Sequence, residues 1–533
     1  MPSHGKICLS KPGRSHKLKP VTSATHNPPA ANHWITWIIR AIVYLYALTF
    51  FAYNTADPDL WGHIKFGGDI LAAGGIPPTE SFSYTAFGNA WINHEWLTEV
   101  LFFLIYDLTD STGLLLFKSL LGLLIVHLLS AHYFARSANH TVYLAIFLLV
   151  IPVMAPGFMT RPHLMTFLFL TVLVLILQKF ADGNHRIILW TPLVFLLWAN
   201  SHGGVVAGLG IFGLVAGVEV IRCFYSGETK GKLLIQYFAL SCVTVLINPY
   251  GYKLWEFFYH SLGQARAITE WGPVPLADLS FLPLKILVLL FVITFALPTR
   301  KRIWEILIIT VAIVYGFKHQ RHTVLTVILM TPYLTLQFAQ WAKGWDVKTL
   351  YDRLSGHFQA VTNIVLGIFL LVQAMFLLNK YGVHDYRVVI TPTMYPTYAA
   401  QFMTANHLNG NILVPFDWGE YIIWKFPASK VSIDGRFRTA YPENIIAMNL
   451  AFSQGQLAGL ILLTDFPTDL VLAKKGEAPF TTMEKRPGWV KVHQDAISKI
   501  FVRDTQPPSA LMQNLITAGF VRSPDPPPYD FPG

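Results

Sequence analysis

Charge is scarce in this chain. Only 13% of its 533 residues are Asp, Glu, Lys or Arg, and 53% are hydrophobic, whereas about 25% are charged in a typical soluble domain. With long apolar runs repeating along the sequence, this excludes an ordinary soluble protein and predicts a polytopic α-helical membrane protein. The net charge of +10 does not predict a nucleic-acid partner, because the Lys and Arg are scattered between apolar spans, where cytoplasmic loops carry them. Cysteine is almost missing. Cys8, Cys223 and Cys242 show no CxxC or paired spacing, so neither a disulfide framework nor a thiolate metal site is expected. There is no GxxxxGK phosphate loop and no HExxH motif. Ionisable residues are also rare inside the apolar spans, with Lys118 and Glu219 as exceptions near span ends. A transporter would more often keep such residues at mid-membrane.

What is present sorts by topology. Residues 1–33 are polar, hold Lys6, Lys11, Arg14, Lys17 and Lys19, and read as a disordered cytoplasmic tail. The first apolar span covers about 34–53. The next apolar run, EWLTEVLFFLIYD (95–107), is shorter than the roughly 17 residues that a crossing needs. It is predicted to lie at the membrane interface. Further spans are then expected at 113–134, 141–157, 163–181, 186–200, 203–224, 232–248, 283–298, 302–317, 322–342 and 357–379. With this count Arg136, Lys179, Arg186, Lys230, Arg300–Arg302 and Lys343–Arg353 all fall in inner loops, as the positive-inside rule requires. Counting 95–107 as a crossing would invert them. The expected architecture is about eleven transmembrane helices over 34–380, with the amino terminus inside and a first outer loop over 54–112. A small α/β domain follows over 384–505 on the outer face. NILVPFDWGEYIIW, KVSIDGR, DLVLAKK and WVKVHQDAISKIFVR read there as strands and 442–463 as helix. The Pro-rich stretch 506–533 is expected to be disordered.

The chemistry-bearing residues mass on the outer side. ADPDLWGHIKFGGDIL follows the first span directly and holds Asp57, Asp59 and His63. These acids could bind a divalent metal or accept a proton from a weak hydroxyl nucleophile; the bland alternative is that they cap a helix. Glu95, beside His94, is either a second acid of such a site or a favourable carboxylate in a first helical turn. Glu99 is expected to be solvated. Arg161 and His163 in one outer loop, and Arg321 and His322 in another, could hold a phosphate and stabilise it as a leaving group; the alternative is headgroup anchoring. His202 lies in the NSHGG turn. Trp271, like Trp61, could stack on a sugar or belong to the interfacial aromatic belt.

The layout resembles the GT-C superfamily of membrane glycosyltransferases, which includes oligosaccharyltransferases, protein O-mannosyltransferases and aminoarabinose transferases. The likeness runs from ADPDLWGHIKFGGDIL through GGIPPTESFSYTAFGNAWINHEWL and EWLTEVLFFLIYDLTDSTG. In that family an interfacial helix also precedes the second span. The resemblance implies that the loop acids serve in metal binding and acceptor activation, with Asp57 the best positional match. Asp57, Asp59 and Glu95 are then the catalytic candidates. A divalent cation, Mn²⁺ or Mg²⁺, would sit on Asp57 and Glu95. His63, His94, Arg161, His163, His202, Trp271, Arg321 and His322 are the substrate-binding candidates.

A looser similarity covers DWGEYIIWKFPASKVSIDGRFRT (417–439). Asp417, Trp418 and Tyr421 echo, in a different order, an acceptor-recognition motif of oligosaccharyltransferases. The resemblance implies a polyprenyl-phosphate-linked sugar donor handled outside the cytoplasm, and the expected acceptor is a lipid, glycan or protein. A bacterial inner membrane is the expected location; an endoplasmic reticulum membrane has the same topology and is the alternative. A flippase of lipid-linked saccharide and a non-catalytic assembly subunit are the alternatives.

Overall fold

The structure is a computed structural model that describes residues 33–226, 230–261, 269–381, 386–504, 513 and 530–533. The basic tail 1–32 and most of the Pro-rich stretch lie outside the described residues. Eight helices are long and apolar enough to cross a membrane: Trp34–Phe51, Trp96–Phe134, His140–Gly157, His163–Ala181, Val205–Ser226, Leu279–Ala296, Gln320–Trp341 and Gly356–Lys380. Three shorter ones, Thr191–Ser201, Lys230–Thr244 and Ile303–Lys318, lie at the remaining expected positions. The chain is a polytopic α-helical membrane protein. Its outward-facing side chains are those lipid would cover: Phe224, Val314 and Ile364 are exposed, and almost no side chain of Gly356–Lys380 is buried.

The run Trp96–Phe134 is not one straight helix. Asp110 has φ 58° and ψ −164°, which a helix does not admit, and its carboxylate accepts the Ser111 N–H at 2.6 Å. Residues 96–109 are thereby set off from 111–134, the separation the short apolar run predicts. The loops expected on the inner side meet at one end of the bundle. Arg136 and Arg302 both pair with Asp182, and the Asn139 amide donates to the Ala342 carbonyl at 3.1 Å.

Residues 54–112 are ordered into helix and turns rather than loop. The helix Leu60–Ala73 packs along residues 96–109, and Gly67 allows the approach: a Cβ there would collide with the Glu99 carbonyl. Phe82 and Tyr84 pair with Val431 of the carboxyl-terminal domain, Val431 N–H donating to the Phe82 carbonyl at 3.0 Å.

That domain is a five-stranded sheet flanked by helices. Its strands are β1 Asn411–Leu413, β2 Lys430–Val431, β3 Leu470–Lys474, β4 Trp489–Gln494 and β5 Ser498–Arg503, in the order β2-β1-β3-β5-β4. β1 runs parallel to β2 and β3, and β5 antiparallel to β3 and β4. β3 is buried along Leu470–Ala473, as a central strand covered on both faces should be.

Two expectations fail here. GEYIIW is helical, Gly419–Lys425, not strand. Pro415 cannot donate to a ladder, and the place beside β1 is taken by β2. The end of the Pro-rich stretch is packed, not disordered. Phe531 is buried and Trp61 Nε1 donates to the Pro532 carbonyl at 3.0 Å, because Phe531 fills a gap between Trp61, Tyr106 and Trp424.

Candidate active site

Asp57 follows the first span on a short extended stretch, where Ala56 N–H donates to the Val389 carbonyl at 2.8 Å. Its Oδ1 accepts the Asp59 N–H at 3.0 Å and Arg161 Nε at 2.5 Å. Arg161 reaches on, with Nη1 3.2 Å from Asp59 Oδ2 and 3.7 Å from Glu270 Oε1. Glu270 in turn lies 3.1 Å from Arg321 Nη1, and the Arg321 guanidinium stands over the Trp271 ring at 4.7 Å. Asp57, Asp59, Arg161, Arg321 and Trp271, from four separate stretches, thus form one chain of contacts. Glu270 joins the two arginines. Sequence reasoning passed it over, although an acid beside Trp271 in so acid-poor a chain was a usable signal.

The helix-capping alternative for these acids does not describe the geometry. Asp59 holds the N-cap position of Leu60–Ala73 yet makes no side-chain cap bond. The free Gly62 N–H is taken instead by Glu420 Oε2 at 3.1 Å, from the carboxyl-terminal domain. Helix starts favour such carboxylates, but burial, followed by the nearby Asp59, pushes the Glu420 carboxyl well above its ordinary range. Partial burial likewise raises Asp59, against the pull of Arg161.

A second group adjoins the first. His63 Nδ1 is 3.2 Å from Glu99 Oε1, and the Asn93 amide donates to Glu99 Oε2 at 2.5 Å. Glu99 is buried, not solvated, because the Leu60–Ala73 helix covers it. Glu95 Oε1 lies 3.6 Å from His94 Nε2 and 3.4 Å from His202 Nε2. Gly204 N–H donates to His202 Nδ1 at 2.9 Å, which leaves the ring proton on Nε2, facing Glu95. Burial and the neighbouring histidines hold His202 well below its usual range, hence neutral. Burial opposes protonation of His63, but the Glu99 bond and Glu95 outweigh it.

Among the described residues, His63, Glu95 and Glu99 present ligand atoms within 4.8 Å of one another, close enough to hold a metal ion. Asp57, expected beside Glu95 at such an ion, is not one of that group; its Oδ1 accepts from Arg161 Nε and the Asp59 N–H. His163 Nε2 bonds the Gly157 carbonyl at 2.6 Å. His322 stacks edge-on against Trp271.

The acceptor-recognition candidates fare differently. Trp418 and Tyr421 are fully buried, and Trp418 Nε1 donates to the Met394 carbonyl at 2.8 Å. They are core side chains, because the helix Gly419–Lys425 turns its apolar face into the domain. Asp417 pairs with Lys474.

No protein-family model matches the sequence, and neither does any curated protein. Solved structures do match in fold. ArnT of Cupriavidus metallidurans, bound to undecaprenyl phosphate, aligns with TM-score 0.53 at 13% identity, covering 89% of this chain and 98% of that one. The apo oligosaccharyltransferase of Archaeoglobus fulgidus aligns with TM-score 0.50 at 9% identity, covering 83% and 70%.

Proposed function

We propose that this chain, which has the fold of the GT-C membrane glycosyltransferases, moves a sugar from a polyprenyl-phosphate-linked donor to a lipid, glycan or protein acceptor at the outer face of a bacterial inner membrane. The observation that carries the reading is the Asp57–Arg161 pair set against Asp59, Glu270 and Arg321 at one end of the bundle. In support, the same fold in ArnT holds undecaprenyl phosphate. An open, mainly apolar groove of about 430 Å³, lined by Trp96, Leu97, Leu196, Leu197, Ile247 and Pro249 with Asn200 and Asn248, begins one residue after Glu95 in the chain and suits an isoprenoid chain.

Asp57 Oδ1 is committed to Arg161 and the Asp59 N–H, so Oδ2 is the oxygen left to take the acceptor's proton. As that proton leaves, the acceptor attacks the anomeric carbon and the bond to the donor's phosphate oxygen breaks. Arg321, stacked on Trp271, and Arg161 supply the positive charge that the departing phosphate requires. One displacement inverts the sugar carbon. His63, Glu95 and Glu99 are the residues that would hold a divalent cation. Their mixed nitrogen and oxygen donors suit Mn²⁺ better than Mg²⁺, and the ion would add positive charge beside the leaving phosphate.

The test is transfer from a panel of polyprenyl-phosphate sugars by purified protein. Asp57→Asn keeps the Arg161 contact yet cannot accept the proton, so turnover should fall about 10²–10⁴-fold while donor binding persists. Turnover equal to wild type would remove Asp57 from the mechanism.

A further inference from the structure

Nothing in the transfer step uses Glu270. Yet its Oε1 sits between the two arginines that the leaving phosphate needs, 3.1 Å from Arg321 Nη1 and 3.7 Å from Arg161 Nη1. The two guanidiniums come from different outer loops, and like charges held this close repel unless an anion lies between them. The carboxylate supplies that anion loosely. One oxygen serves both cations, and neither distance reaches the roughly 2.7–2.9 Å of a full charge-assisted bond. A phosphate presents a separate oxygen to each arginine and suits the same forked donors.

The groups differ in their freedom to move. Arg161 is retained by Asp57 and Asp59 whether or not Glu270 reaches it. Among the described residues Arg321 pairs with no other carboxylate, and its stacking on Trp271 keeps it in place. The turn that carries Glu270 is pinned to the stretch before Arg321. Val274 N–H donates to the Phe317 carbonyl at 2.9 Å and Gln320 N–H to the Gly272 carbonyl at 3.0 Å, while His319 Nδ1 bonds the Trp271 carbonyl at 2.6 Å. The Glu270 side chain is the exposed member, at 39% against 4% for Asp57. It can swing into water without disturbing either arginine.

We propose that Glu270 marks the phosphate subsite of the donor: its carboxylate and the phosphate compete for Arg161 and Arg321, so that one displaces the other. The inference rests on the glycosyl-donor reading above. Glu270 then weakens phosphate binding, because only the fraction of molecules with the carboxylate swung away is competent to bind. This matters most after transfer. The polyprenyl phosphate left behind is a monoester with more negative charge than the phosphodiester donor, and a competing carboxylate offsets its tighter hold on the arginines.

The test measures binding of farnesyl phosphate to the full-length protein in nonionic detergent by isothermal titration calorimetry. Farnesol controls for the lipid chain and inorganic phosphate for the anion. Glu270→Gln keeps the size of the side chain and removes its charge. It should bind farnesyl phosphate about two- to fivefold more tightly than wild type, the range for one exposed ion pair that no longer competes, and farnesol no differently. A gain shared by inorganic phosphate assigns the subsite to any phosphate group; a gain confined to farnesyl phosphate assigns it to the lipid-linked form. In Glu270→Ala, acetate should compete with farnesyl phosphate and chloride at equal ionic strength should not. If the two salts act alike, the gain is a general charge effect and the proposal fails. Unchanged or weaker binding by Glu270→Gln, with Arg321→Ala still weakening it, would overturn this proposal alone and make Glu270 a brace for the arginines. No binding of farnesyl phosphate by wild type would overturn the donor reading and this proposal together.

Discussion

Replacing Arg436 by leucine should loosen the first outer loop from the carboxyl-terminal domain. Arg436 donates from Nε to Asp434 Oδ1 at 2.8 Å and from Nη2 to Oδ2 at 2.6 Å, and it also pairs with Glu80 of the loop. Its guanidinium lies 4.7 Å from the ring centres of both Phe66 and Trp91. Glu80 is 1% exposed and Asp434 0%, so removal of the cation leaves two buried carboxylates. Breaking a buried pair in this way costs about 3–5 kcal/mol.

A second route to the magnitude is independent of the first. Glu80 can escape by taking a proton, and from its ordinary value of 4.5 to pH 7, at about 1.4 kcal/mol per unit, this costs about 3 kcal/mol. The sign follows from the same residue. Burial raises Glu80, and Arg436 opposes the rise. Without Arg436, the folded state holds the Glu80 proton still more tightly than the unfolded state, so the variant is relatively favoured at low pH and loses stability as pH rises through the folded value. Hydrogen exchange of residues 80–92 and 430–441 in detergent should therefore show a deficit of about 3 kcal/mol at pH 7 that shrinks towards pH 5. Adding Glu80→Gln should recover much of it. Equal deficits at both pH values, or no recovery in the double variant, would refute the argument.

Glu420→Gln keeps an acceptor for the Gly62 N–H while removing a carboxyl whose affinity for its proton is raised by burial and Asp59. Because the folded-state value is raised, wild type loses stability as pH rises from the ordinary carboxylate range through that value, and the variant's thermal-unfolding advantage should widen in the same direction. Trp418→Phe removes the bond to the Met394 carbonyl and should cost about 1–3 kcal/mol in unfolding experiments. The acceptor KM should stay unchanged, since a core residue does not touch substrate. Glu99→Gln should weaken Mn²⁺ binding, read by electron paramagnetic resonance, about tenfold or more; wild-type affinity would remove Glu99 from the ion site. Arg321→Ala should raise the donor KM, and Arg321→Lys should restore only part of it, because lysine cannot stack on Trp271 as a planar guanidinium does.

Some of this was legible before any fold was known. The length of EWLTEVLFFLIYD and the placement of basic loops required a helix separate from the second span, and Asp110 marks that break. The alternation read in DLVLAKK and WVKVHQDAISKIFVR placed β3 and β5, although both strands are buried along nearly their whole length rather than at every second residue. GEYIIW misled because a short continuous apolar run carries no period with which to choose helix from strand.

By itself the sequence determined the spans, the sheet, and the massing of acids, histidines and arginines in a few loops, since each depends on composition and periodicity within one segment. Only the tertiary structure decided which of those side chains meet. Arg161 stands 104 residues from Asp57 and Glu420 stands 358 from Gly62. Hydrogen bonds and ion pairs act over about 3 Å, and no local pattern records which distant residue the packed bundle and its domain will bring within that reach.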